Sequence, residues 1–90
     1  MRFAASNPLV RGRAAVELAL PQASPVKLGV YDVRGALVKE LVSSARVEAG
    51  RHRIEWDRTN RTGGSASAGV YFIRATAGGR TFTTRFALLQ

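Results

Sequence analysis

The amino-acid sequence predicts an all-β chain, a Greek-key sandwich of about seven antiparallel strands packed as one domain over residues 1–90. Three observations point there. From Ala14 onward, short segments alternate apolar and polar residues with period two. Each segment is closed by Gly, Pro, Asn, Asp or Ser, at intervals of about ten residues. No window sustains the 3.6-residue period of an amphipathic helix.

A weak first strand, or a linker from an upstream domain, is expected within residues 1–8, near Arg2 to Ala5. The first clear strand puts Val16, Leu18 and Leu20 on one face against Ala15, Glu17 and Ala19, and Pro21 closes it because proline cannot donate to a ladder. Val26, Leu28 and Val30 repeat the alternation against Lys27, Gly29 and Tyr31. Asp32-Val33-Arg34-Gly35 then fits a type I turn, with Asp at its first position and Gly at its fourth. The returning segment, Ala36 to Val42, buries Val38 and Leu41; that three-residue step breaks strict alternation and predicts a bulged edge strand with Lys39 and Glu40 toward water.

Ser43 to Gly50 reads as a connection. His52, Ile54 and Trp56 then alternate with Arg51, Arg53 and Glu55, and Trp56 is the expected core anchor. Asp57 to Gly69 is polar and rich in Gly and Ser, a long loop expected to be the most mobile internal segment. Val70 to Ala77 and Arg80 to Leu89 form a hairpin through Gly78-Gly79, a pair that permits positive φ. The expected architecture is immunoglobulin-like, of the fibronectin III kind, without the bridging cysteines of antibody domains.

Composition narrows the function. A chain of 90 residues with 46% hydrophobic residues has room for one core and no second domain. Without cysteine it has no disulfide, thiolate metal site or thiol nucleophile, so packing and sheet hydrogen bonds carry its stability. Met1 to Ala5, stopped by Ser6-Asn7-Pro8, is too short for a signal peptide or a membrane span. The net charge of +8 invites a polyanion reading, yet the arginines are dispersed along the chain without a run, which favours a solvated surface over a nucleic-acid interface.

The inventory for catalysis is one His, no Cys and six carboxylates, and no catalytic, cofactor-binding or metal-binding set is expected from it. His52 shares a face with Ile54 and Trp56 and reads as a partly buried structural side chain at a strand end. Asp57 and Asn60 are oxygen donors, but Asp-x-x-Asn lacks the carboxylate density of a calcium loop, so Asp57 is expected to bind loop amides and shape the turn. Glu17 and Glu55 are expected to pair with arginines on a neighbouring strand. Asn60-Arg61-Thr62 matches the glycosylation acceptor pattern, a short match that recurs by chance. On the outer side of one sheet, Tyr31, Phe72, Arg74, Thr83 and Arg85 are expected to lie together; the plain reading is that Arg stems simply cover the rings, and the alternative is a partner face for protein, sugar or nucleic acid.

Several segments in order resemble a known family: Asn7-Pro8, Val16 to Pro21, Val26 to Gly35, Ile54-Glu55-Trp56-Asp57, Ala68-Gly69-Val70-Tyr71-Phe72 and the closing Arg85 to Leu89. The chain resembles the FlgD-like immunoglobulin domain and the related C-terminal sorting domain of type IX secretion. Two departures stand out, Arg58 where the family commonly has Gly after Trp-Asp, and Ala68 where Pro or Ser is frequent. Asp32, Gly35, Trp56, Asp57, Gly69 and Tyr71 carry the signature, and each has a structural use in a turn, a core or a tight bend.

The resemblance implies a non-catalytic module of a larger exported bacterial protein, extracellular or at the cell surface, serving sorting or attachment. Its expected partners are proteins, either secretion machinery or domains of the parent chain. Because the family is exported, Met1 is expected to open a segment whose parent carries its signal upstream. The alternatives are a structural scaffold like that of the flagellar hook cap and an accessory module for carbohydrate or polyanion.

Overall fold

The computed structural model describes residues 2–5, 9–10 and 14–89, with side chains over 14–89. Its strands are β1 (Arg2–Ala5), β2 (Leu9–Val10), β3 (Ala14–Leu20), β4 (Ser24–Tyr31), β5 (Leu37–Val47), β6 (Gly50–Trp56), β7 (Gly69–Ala77) and β8 (Arg80–Leu88). They form two sheets, one of three strands in the order β1-β3-β6 and one of five in the order β2-β8-β7-β4-β5. This is the expected immunoglobulin-like all-β sandwich. Its strands are antiparallel except at one pair, where β2 runs parallel to β8 with Leu9 beside Ala87 and Val10 beside Leu88. A two-residue strand has no period to read, which is why β2 has no sequence signal.

The core lies between the sheets. Val16, Leu18, Leu20 and Trp56 from the smaller sheet meet Val26, Leu28, Val30, Ile73, Phe86 and Leu88 from the larger. Alternation is therefore a reliable guide in β3, β4, β7 and β8, whose inner positions face a continuous apolar partner layer. No polar or charged side chain among the described residues is buried.

The β4–β5 hairpin is closed as its turn residues dictate. The Gly35 amide donates to the Asp32 carbonyl at 3.0 Å, and Asp32 Oδ1 accepts from the amides of Arg34 at 2.9 Å and Ala36 at 3.0 Å. Gly35 takes φ 83°, a conformation that costs a side-chain-bearing residue about 1–2 kcal/mol. At the β7–β8 hairpin both Gly78 (φ 58°) and Gly79 (φ 76°) are left-handed, which matches the twist of the strands they join.

Three details differ from expectation. Ser43 to Gly50 is not a connection, because β5 continues to Val47 and only Glu48 and Ala49 separate it from β6. Ladder pairing with β4 makes this extension, through Ser24↔Val47, Pro25↔Arg46 and Val26↔Ala45, while the Ser43 to Arg46 side chains stay exposed. A strand held by backbone alone leaves no hydrophobic pattern. Lys39 and Glu40 are half-buried rather than solvated: β5, the expected bulged edge, shifts register against β4 on either side of Gly29 and Val30, and Lys39 and Glu40 share one groove with Glu55, Trp56 and Asp57 at the end of β6. Glu55 pairs with Arg53 two residues away on its own strand, at 3.6 Å, instead of across strands; Glu17 stands opposite Arg53 in the ladder.

Candidate functional site

The signature residues gather at one end of the sandwich, where the β4–β5 turn and the 57–68 loop meet. Trp56 at the end of β6 is 1% exposed and bridges the sheets, edge-on to Tyr71 (ring centroids 5.7 Å apart) and to Phe86 (5.9 Å). Tyr71 and Phe86 are a cross-strand pair of β7 and β8 and stack at 6.0 Å. Edge-to-face and offset arrangements of this kind add about 0.5–1.5 kcal/mol per pair beyond area burial.

Both polar-tipped rings hold the loop above them. Trp56 Nε1 donates to the Thr59 carbonyl at 2.8 Å, and the Tyr71 hydroxyl donates to the Ser67 carbonyl at 2.7 Å. The second bond is the tyrosine corner of immunoglobulin-like folds, a Tyr near the start of a strand bonding a few residues upstream. Sequence reasoning placed both rings in the core but missed their loop contacts, whose only sequence signal is an aromatic residue with a polar tip at each end of a loop. Tyr71→Phe is expected to lower stability by about 1 kcal/mol, read by chemical denaturation, because the ring stays packed while one half-buried hydrogen bond is lost.

Inside the loop, two short side chains do the organising. Asp57 Oδ1 accepts from the Thr59 amide at 3.1 Å and the Thr59 hydroxyl at 2.6 Å. Asn60 Oδ1 accepts from the Thr62 amide, the Thr62 hydroxyl and the Gly64 amide, all within 3.0 Å. Their side-chain oxygens thus serve the loop's own backbone, as expected for Asp57. A bridge between Thr59 and Ser65 ties the two arms.

The departure at Arg58 has a backbone explanation. Arg58 sits at φ 69°, the left-handed region that suits glycine. The residue common at this position in the resembling family is therefore the one without a side-chain penalty. Arg58→Gly removes about 1–2 kcal/mol of backbone strain against about 0.5–1 of unfolded-chain entropy and the loss of the Arg58 side chain's own interaction, so a stability change within about 1 kcal/mol is expected in denaturant titration. Gly69, at φ 151°, opens β7 where the loop rejoins the sheet.

Between the turn and the loop lies a cleft of about 340 Å³, lined by Asp32, Leu37, Asn60, Arg61, Ser67 and Tyr71 among others. His52 is remote from it, half-buried on β6, and its Nε2 donates to the Glu48 carbonyl at 2.7 Å across the β5–β6 crossing. Among the described residues no three of His, Asp and Glu come together.

The second feature is the outer face of the five-stranded sheet. Register sets Tyr31, Phe72 and Arg85 in one row across β4, β7 and β8, and Gly29, Arg74 and Thr83 in the next. Arg74 lies over the Tyr31 ring, its Cζ 4.6 Å from the centroid. Which arginine covers which ring depends on the register between strands far apart in the chain.

The comparisons agree with this geometry. The family model described as the FlgD Ig-like domain matches residues 6–80. No curated protein matches the chain. Among solved structures, the chain is similar to dimeric latent PorU from Porphyromonas gingivalis, with 21% identity, a TM-score of 0.74 and coverage of 99% of this chain but 10% of that one. It is also similar to FlgD from P. aeruginosa, with 24% identity, a TM-score of 0.68 and coverage of 96% of this chain and 74% of that one. The chain thus spans a tenth of the length of the PorU chain it resembles. At such identities the two structures speak for the fold, whereas the family model covers most of the sequence with its turn, tryptophan and tyrosine positions: the chain belongs to the FlgD Ig-like domain family.

Proposed function

We propose that this chain is a non-catalytic, protein-interacting module of a larger exported bacterial protein, folding as one domain over residues 1–90 and serving sorting or attachment at the cell surface. The observation that carries the reading is where its polar side chains are spent. Asp32, Asp57, Asn60, Trp56 and Tyr71 all bond to backbone of the turn and loop, so the end where a sandwich usually places its functional loops is built for a fixed shape. Family membership, the PorU likeness and the resemblance to type IX sorting domains support it.

The test is fusion of the chain to the C-terminus of a passenger carrying a signal peptide, in a bacterium with type IX secretion. Passenger at the surface with the intact chain, and periplasmic passenger with a Trp56→Ala chain, is the expected result. Periplasmic passenger in both cases overturns the sorting role. The coverage of FlgD favours a second reading, a scaffold of the hook-cap kind, for which concentration-dependent self-association in sedimentation is the distinguishing result.

A further inference from the structure

Three cations stand on the outer face of β4, β7 and β8 without a carboxylate on those strands beside them. Lys27, Arg74 and Arg85 occupy successive rows of the register, and the other outward positions are apolar, Gly, Thr or Tyr31, with Phe72 half-buried and Val70 41% exposed. The nearest carboxylate in register is Glu40 of β5, opposite Gly29. The ion pairs among the described residues lie elsewhere, Arg46 with Glu48 and Arg53 with Glu55.

Arg74 is held in place by a small construction. A Cβ at Gly29 would come within 3.1 Å of Leu37 Cδ1 and 3.2 Å of Tyr31 Cε1, so the absence of a side chain there lets the Tyr31 ring lie against the sheet. The ring in turn carries the Arg74 guanidinium. A guanidinium stacked on an aromatic face loses little entropy on binding and keeps its N–H edges for a bidentate carboxylate. The same stacking covers one face of the ring, which disfavours a sugar platform.

We infer that this face docks an acidic, partly apolar segment of a partner polypeptide in extended conformation, its carboxylates on Arg74 and Arg85 and its apolar side chains on Phe72 and Val70. Charge complementarity selects an acidic partner. Spacing selects a polypeptide: same-face residues along β7, such as Phe72 and Arg74, lie about 7 Å apart, the repeat of side chains on one side of an extended chain. A polyphosphate or polysulfate chain is matched by a continuous basic track, and here apolar residues interrupt the charges. The inference rests on the reading of the chain as a protein-interacting module and names the chemistry of the partner.

The test uses the purified chain and a short fluorescein-labelled peptide whose alternate positions, those on one side of an extended chain, run valine, valine, glutamate, glutamate with threonine between them, followed by anisotropy at low salt. Binding is expected, with a weakening of about tenfold or more for Arg74→Glu and for Arg85→Glu and less than about twofold for Arg53→Glu on the other sheet. A peptide with glutamine in place of glutamate should not bind. Arg74→Lys, which keeps the charge and loses the planar stack, should fall between, and its circular dichroism guards against an unfolded variant. No binding of the acidic peptide, or an equal loss with Arg53→Glu, overturns the inference. So does a heparin fragment that binds more tightly than the peptide in an Arg74-dependent way, which would assign the face to polyanions. Because export is scored in cells and docking on the isolated chain, either can fail without the other.

Discussion

Trp56→Ala is expected to cost about 3–5 kcal/mol, enough to leave the chain largely unfolded, given that a domain of this size has about 5–10 kcal/mol in total. The indole is 1% exposed and is the ring through which β6 meets the Tyr71–Phe86 stack. Its removal opens a cavity between two sheets that cannot close up without sliding one over the other. It also frees the Thr59 carbonyl and so loosens the loop that Asp57 and Asn60 shape. Urea denaturation followed by circular dichroism measures the loss. In the intact chain, Trp56 emission should be blue-shifted; a red-shifted native spectrum would contradict burial and with it the β6 register.

A chain ending at Arg80 should not fold cooperatively at all. The family match stops at that residue, which is also the first of β8. Yet β8 pairs with β7 along its whole length and places Phe86 and Leu88, each 2% exposed, in the core. Loss of two such side chains costs about 3–5 and 2–5 kcal/mol, a sum comparable to the whole stability. It also leaves β7, an interior strand, as an apolar edge, which invites aggregation. Loss of the sigmoidal urea transition is the expected outcome. A truncated chain that still unfolds with a sharp midpoint would show that the sandwich closes without its last strand. The same reasoning makes deletion of Arg80 to Gln90 a poor probe of sorting, since it removes the fold together with the terminus.

Most of the fold was legible where burial imposes a pattern. The inward residues of β3, β4, β7 and β8 announce themselves by alternation because they face one apolar layer, and the Asp32–Gly35 and Gly78-Gly79 turns by residues whose backbone demands are local. The far half of β5 was misread as a connection, since it is exposed and held by ladder hydrogen bonds that any side chain allows. The strand β2 escaped notice because two residues make no period. At the loop end, the burial of Trp56 and Tyr71 and the local role of Asp57 could be read from residue type, while the carbonyls that the two rings hold could not.

By itself the sequence determined the all-β class, the hairpin turns, the core face of each amphipathic strand, the absence of cysteine chemistry and the family signature, because each depends on residues near one another in the chain. Tertiary structure decided the register between distant strands, and therefore that it is Arg74 that covers the Tyr31 ring and that Trp56, Tyr71 and Phe86 meet as one aromatic cluster. Those juxtapositions join residues tens of positions apart, and their register is set by the packing of two sheets across a shared core, a property of the assembled chain that no local pattern contains.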